Sequence, residues 1–314
     1  MKRPLIVSGG RSDFSMMDRL FMVSKSLLPD TTLLRMSDNP YLLDNDSALG
    51  VAKSAGLALM SAATDIQAVD PDVVVLLGDR FEILAAAQAA HLLGIPIAHL
   101  HGGETSSGSK DDAMRNAITM LATYHFASSS FHAWKLRQMK RENVFTVGAI
   151  GVDNALRVDS VPTLSYPIIL VSVPEGEGLP EILNALSSFK GYEVVVIGPN
   201  SDEGRSSLTP YQTVSRLSPS TYLSYLKAAD VAVGSSSSLL IEAHVLGTPT
   251  VIVGTRQAGR QHQASCIHVP VDEVAIHAAV LDALNHKTDH LLKMPSVFGD
   301  GDAAERVVAK LCEL

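Results

Sequence analysis

The chain has 314 residues, 46% of them apolar and 18% charged, with 25 Lys and Arg against 33 Asp and Glu. That length exceeds one ordinary domain and predicts two similar halves, while the apolar content excludes a disordered or collagenous chain. The net charge of −8 excludes a general basic field for nucleic acid or an anionic membrane, so an anionic ligand has to be met by local groups.

In chain order, Met1-Lys2-Arg3 leads straight into a strand-like Pro4 to Val7, an apolar run too short for a signal peptide. No later run is long enough to span a bilayer. Short apolar runs without polar alternation follow at Leu5 to Ser8, Val73 to Leu77, Ile95 to Leu100, Ile168 to Val173, Glu193 to Ile197, Val231 to Val233 and Thr250 to Val253. Such runs predict strands buried on both faces, and the helical spacing between them predicts parallel sheets in an α/β protein. Helices are expected over Phe81 to Leu93, stopped by Gly94 and Pro96, and over Leu239 to Leu246, stopped by Gly247 and Pro249. The proline-broken stretch Asp153 to Pro167 is the expected hinge. It separates a first domain over 1–158 from a second over 165–298, with a closing helix over 302–314 that Asp302 is expected to cap. Two cysteines, Cys266 and Cys312, suit a reducing compartment and cannot build a disulfide framework or a cysteine-rich zinc site; the cytoplasm is expected.

In an open parallel sheet, ligands sit beyond the carboxyl ends of the strands, so polar residues directly after apolar runs carry the information. Ser8-Gly9-Gly10-Arg11-Ser12-Asp13 offers a tight turn, helix amides and a cation for a phosphate, against the plain alternative of a solvated β-to-α turn. Asp79, after Val73 to Leu77, is either a strand-end acid–base group or a helix cap through the amide of Phe81 or Glu82. His99 and His101, two apart on a strand, are expected to face one pocket with Glu104 on a flexible turn beyond, although a buried backbone-bonded imidazole is the better reading of His99. No further His or Cys stands at ligand spacing, so a metal site is not expected. Asp111, Asp112 and Arg115 fall on the first turns of a helix. Gly234-Ser235-Ser236-Ser237-Ser238 offers hydroxyls and amides to a pyrophosphate, Glu242 an acceptor for ribose hydroxyls, and Arg256 and Arg260 two more cations, each with a capping or solvated alternative.

Together these clusters resemble the hydrolysing UDP-N-acetylglucosamine 2-epimerases, especially the sialic-acid-pathway branch that forms N-acetylmannosamine. The matching strings are SGGRSDF (8–14), GDRFE (78–82), IPIAHLHGGETSSGSKDDAMRNAI (95–118), VGAIGVDN (147–154), GSSSSLLIEA (234–243), GTPTVIVGTRQAGR (247–260) and FGDGDAAERV (298–307), in the family's order and across most of the chain. The resemblance implies two Rossmann-like doubly wound domains facing a central cleft, as in GT-B glycosyltransferases. It implies that Arg11, Ser236, Ser237 and Glu242 hold UDP, with Asn200 and Arg256 as weaker candidates, and that Asp79, His101, Glu104, Asp111, Asp112 and Arg115 surround the sugar. It implies a UDP-sugar substrate, no cofactor or metal, and a homodimer. Asp79 is the expected base at sugar C2, with Asp112 or His101 assisting protonation or guiding water. Two departures stand out: the family's His near the phosphates aligns with Val173, close to Glu175 and Glu177, and the chain is short between Leu34 and Ala62. A GT-B glycosyltransferase and a non-catalytic nucleotide-sugar binder are the alternatives.

Overall fold

The computed structural model describes residues 2–9, 11–36, 47–107, 111–158, 167–174, 178–197, 212–214, 217–285 and 288–314, the side chains of 11–15 and 212–214 excepted. In chain order the first elements are β1 (Pro4–Ser8), α1 (Arg11–Leu27), β2 (Thr32–Arg35), α2 (Ala48–Val69), β3 (Val73–Leu77), α3 (Phe81–Leu92), β4 (Ile97–Leu100), α4 (Asp111–Leu121), β5 (Tyr124–Ala127), α5 (Ser130–Gln138), β6 (Val144–Thr146) and α6 (Ile150–Ala155). There follow β7 (Ile168–Ser172), α7 (Leu179–Leu186), β8 (Glu193–Ile197), β9 (Gln212–Val214), α8 (Pro219–Ala228), β10 (Val231–Gly234), α9 (Ser238–Ile241), β11 (Thr250–Val253), β12 (Cys266–Val269), α10 (Glu273–Leu284), α11 (Asp289–Leu292) and α12 (Ala303–Glu313). Contacts divide the chain into two units: Met1–Glu104, Ser109–Asp153 and Phe298–Leu314 form the first, and Thr105–Gly108 and Asn154–Val297 the second.

The first unit is built on a six-stranded sheet in the order β2-β1-β3-β4-β5-β6, every pair parallel. Alternate residues leave the sheet on opposite faces, so Leu5, Val7, Val74, Leu76 and Ile97 pack under α2 and α3, while Ile6, Val73, Val75, Leu77 and Leu100 pack under α1 and α12. Burial on both faces is why these strands read as continuous apolar runs. The last helix therefore closes the first sheet. Its apolar stripe of Ala304, Val307, Val308 and Leu311 is fully buried there.

The second unit carries a six-stranded sheet in the order β12-β11-β10-β7-β8-β9, again parallel throughout. Renumbered within the unit this is 6-5-4-1-2-3, the doubly wound Rossmann order read from its other edge. Ile169, Val171, Val173, Val231, Val233, Val251 and Val253 form a core with α7 and α10.

Two helix expectations need correction. The helix expected over Leu239 to Leu246 is a single turn, α9, followed by turns up to Gly247. Ala243 N–H reaches back to Ser238 O (3.1 Å) and Thr248 N–H to Ala243 O (3.0 Å), so the i−4 ladder slips to i−5. His244 anchors the slipped segment from outside: its Nε2–H donates to Met294 O (2.8 Å), which leaves Nδ1 to accept from Ser265 Oγ (3.0 Å). In the closing helix, Asp302 stands at the N-cap but makes no side-chain cap bond. Asp153 caps it instead, accepting from Ala303 N–H (2.9 Å) and Ala304 N–H (2.7 Å).

Candidate functional site

Each sheet has one place where the chain reverses its direction of winding, between β1 and β3 in the first unit and between β7 and β10 in the second. Strand ends at such a switch point open a crevice, the ordinary ligand site of this architecture. The singled-out polar residues sit at or beside these points: Gly78 and Asp79 follow β3, and Gly234 to Ser237 close β10.

In the first unit Arg115, on α4, is the organiser. Only 3% of its side chain is exposed, and it donates through Nη2 to Asp79, through Nη1 to Asp112 Oδ1 (2.9 Å), and at longer range to Glu104 O (3.4 Å). Asp79 and Asp112 keep 25% and 24% of their side chains exposed, so two carboxylates held by one buried guanidinium still reach solvent. Asp79 does not cap α3, whose N-cap is Arg80 with no side-chain cap bond. Asp111 is the first residue of α4, half-buried.

His99 is fully buried. Gly78 O can only accept, so His99 Nε2 carries the proton and donates to it (3.1 Å), and Nδ1 accepts from Thr119 Oγ1 (3.1 Å). Burial pushes its imidazole down to about 3. A neutral His99 thus fixes the carbonyl just before Asp79.

The expectation that His99 and His101 share one face is wrong. The strand ends at Leu100, and His101 turns into the left-handed region with φ +63°, which ends the two-residue alternation. Glu104 likewise is not on a flexible turn. It is 3% exposed, its Oε1 taking His101 Nδ1–H (2.9 Å) and Ser128 Oγ–H (2.7 Å).

Sequence reasoning missed Ser128, His132 and Lys135. Ser128 follows β5, a strand whose sequence Tyr-His-Phe-Ala does not read as an apolar run, so nothing in the sequence marks Ser128 as the residue after a strand end. Burial pushes the Lys135 ammonium down, opposed by Asp112 and Glu104 and reinforced by Arg115, which places Lys135 among the same charges.

In the second unit the serine turn is pinned from three sides. Ser235 and Ser236 N–H both donate to Ser172 O (3.1 and 3.3 Å), and Arg256 Nη1 and Gln257 Nε2 donate to Ser235 O (3.2 and 2.8 Å). Tyr222 shares a hydrogen bond with Ser238 Oγ, which also pairs with Ser236 Oγ (2.9 Å). Burial pushes the Tyr222 phenol up, with the Glu242 carboxylate adding to it, so the hydroxyl stays a donor. Glu242 is 7% exposed at the end of α9, and Ser237 is that turn's N-cap without a side-chain cap bond. Val173, at the position of the absent His, is buried in the apolar core. Arg11 opens α1, its side chain outside the described residues, as are Asn200, Glu175 and Glu177. Among the described residues no helix is long and apolar enough to cross a membrane.

Against known proteins, the profile of a family described as UDP-N-acetylglucosamine 2-epimerase matches residues 2–312. A Legionella pneumophila protein described as UDP-N,N'-diacetylbacillosamine 2-epimerase (hydrolyzing) is 31% identical over 296 residues, 85% of this chain and 78% of that protein. Polysialic acid biosynthesis protein P7 of Escherichia coli is 28% identical over 335 residues, 88% of this chain and 84% of its own. The solved S. aureus MnaA-UDP co-structure superposes with a TM-score of 0.86 at 16% identity, covering 100% of this chain and 96% of that one. The α/β, GT-B-like fold built of two Rossmann-like units is thereby established.

Proposed function

The chain belongs to the UDP-N-acetylglucosamine 2-epimerase family, and from that premise we propose that it runs the hydrolysing reaction, turning UDP-N-acetylglucosamine and water into N-acetylmannosamine and UDP. Asp79 takes the C2 proton. The electrons left behind form the C1–C2 double bond as the C1–O bond breaks and UDP departs. Water then returns a hydroxyl to C1 and a proton to C2 on the opposite face. Arg115 fixes Asp79 and Asp112 in one orientation, which removes the entropic cost of finding it at each turnover. Asp111 completes the acid cluster at the start of α4, and His101, oriented by Glu104, guides the water or supplies the returning proton. The serine turn with Ser236 and Ser237, together with Arg11, Asn200 and Arg256, receives the growing charge of the diphosphate, and Glu242 accepts from ribose hydroxyls. A cytoplasmic homodimer belongs to the same reading.

The observation that carries this proposal is the pair of carboxylates, each about a quarter exposed, on one buried guanidinium beside the switch point of the first sheet. The test is incubation with UDP-N-acetylglucosamine in deuterium oxide, without added metal or nicotinamide cofactor. Free UDP and N-acetylmannosamine labelled at C2 are expected, and Asp79→Asn should lower turnover by about 10²-fold or more with UDP still bound. Sugar transfer to an acceptor with no C2 label would instead make the protein a glycosyltransferase.

A second reading rests on the Legionella relative, whose described substrate is a 2,4-diacetamido sugar nucleotide. Comparing kcat/KM on UDP-N-acetylglucosamine and UDP-N,N'-diacetylbacillosamine decides between them. Binding of UDP with no turnover of either, or of a GDP-linked analogue, would sink both.

A further inference from the structure

One set of buried polar side chains in the first unit lies behind the reacting groups and has no part in the reaction above. Ser128 and Ser129 follow β5, and His132 lies in the first turn of α5. They are 0%, 2% and 1% exposed, in a protein interior where polar groups persist only when bonded. Gly103, with φ +78°, lets the turn before Glu104 press against this helix start, since a Cβ there would lie 2.8 Å from His132 O.

The direction of the hydrogen bonds follows from the chemistry of their ends. A carboxylate only accepts, so Glu104 Oε1 takes the proton of Ser128 Oγ (2.7 Å) and that of His101 Nδ1 (2.9 Å). Ser128 Oγ, its one proton spent, must accept from His132 Nδ1–H (2.9 Å). Ser129 Oγ, which receives His132 N–H (3.2 Å), lies 3.0 Å from the same ring nitrogen and holds the ring in place. A chain of donors therefore runs from His132 through Ser128 to Glu104 and ends opposite His101. At the far side of His101, Ile150 N–H points at Nε2 (3.4 Å), consistent with a lone pair on that nitrogen.

We infer that Ser128 and His132 are positioning residues for the 2-epimerase reaction, locking Glu104 so that His101 carries its proton on Nδ1 and keeps Nε2 as the basic nitrogen. The inference rests on the proposed function for the role of His101, but the tautomer itself is measurable without any substrate. A carboxylate bonded to one ring nitrogen is the general way a protein selects the tautomer of a reactive imidazole. The Ser128 hydroxyl holds the same Glu104 oxygen that faces His101, from a second direction.

The test uses full-length protein labelled with 15N in its histidine rings, the His101 signals being those lost in His101→Gln. Wild type should show His101 as the Nδ1–H form, and Ser128→Ala should show a mixture of both tautomers. Turnover of UDP-N-acetylglucosamine, or of whichever sugar nucleotide proves active, should fall about tenfold in kcat with KM within twofold, and Ser128→Thr should restore it. His132→Phe, which keeps a ring against Phe131 and Phe298 but removes the donor, should show the same losses more weakly. The inference is overturned when Ser128→Ala and His132→Phe, both folded by circular dichroism, keep a wild-type His101 spectrum. A wild-type enzyme that shows the Nδ1–H form, loses it in Ser128→Ala, and turns over no sugar nucleotide would support the positioning chain while removing the 2-epimerase reading.

Discussion

Gly234 ends β10 with φ +145°, and a Cβ built on it would lie 2.1 Å from Ser172 O, the same oxygen that receives the amides of Ser235 and Ser236. The serine turn exists because nothing but hydrogen fits between it and the neighbouring strand. Gly234→Ala should therefore cost on the order of 3 kcal/mol and abolish UDP binding, read by urea unfolding and calorimetric titration. A variant that binds UDP like the wild type would show that the turn is not the diphosphate site. In the sequence this glycine was visible as punctuation before a run of serines. Its reason was not, because the oxygen it avoids belongs to a strand 62 residues earlier, paired only in the folded sheet. Arg115 is similar: its place on the first turns of a helix was legible, whereas its grip on Asp79, 36 residues away, was not.

At the scale of elements, capping separates local from tertiary information. Asp302 has the spacing of an N-cap and does not bond as one, while Asp153, 150 and 151 residues from the amides it serves, takes both of them. Burial pushes the Asp153 carboxyl up and the two N–H donors pull it back, so its acceptor role is made under desolvation and is correspondingly strong. Asp153→Ala should cost about 2 kcal/mol or more and Asp302→Ala less than about 1 kcal/mol, compared by chemical denaturation. The reverse order would return the cap to Asp302. Strands β3, β8 and β11 have the bounds their apolar runs predict, because their central residues are buried on both faces, where apolar side chains are the stable choice. Strands β2, β5, β6 and β12 did not show in the sequence: β2, β6 and β12 are only partly buried, and β5 carries Tyr124 and His125, so polar letters were tolerated and the pattern was lost.

Across the whole molecule, acid should loosen the first unit before it reaches the carboxylates. Burial holds His99 at about 3 and His125 at about 4, the latter with Arg141 adding to the shift, whereas both would titrate near 6.5 in an unfolded chain. Between those values the unfolded state binds the extra protons, so stability is fully present above pH 6.5 and declines as pH falls toward 4, by up to about 1.4 kcal/mol per pH unit for each ring. Asp153, with its raised carboxyl, opposes this in part. Urea midpoints at pH 7.5 and 5.0 measure the effect, and equal midpoints would contradict two buried neutral imidazoles. What the sequence determined by itself was the alternation of buried strands with helices, and hence the α/β class, together with which strand ends carry polar residues. Those properties are local, since a strand covered on both sides must be apolar wherever its neighbours are. What only the tertiary structure decided was the strand order that makes two switch points, the return of α12 to the first sheet, and the partners of Asp79, Glu104 and Asp153. Each of those depends on groups far apart in the chain meeting with the right donor and acceptor, and residue spacing carries no record of that meeting.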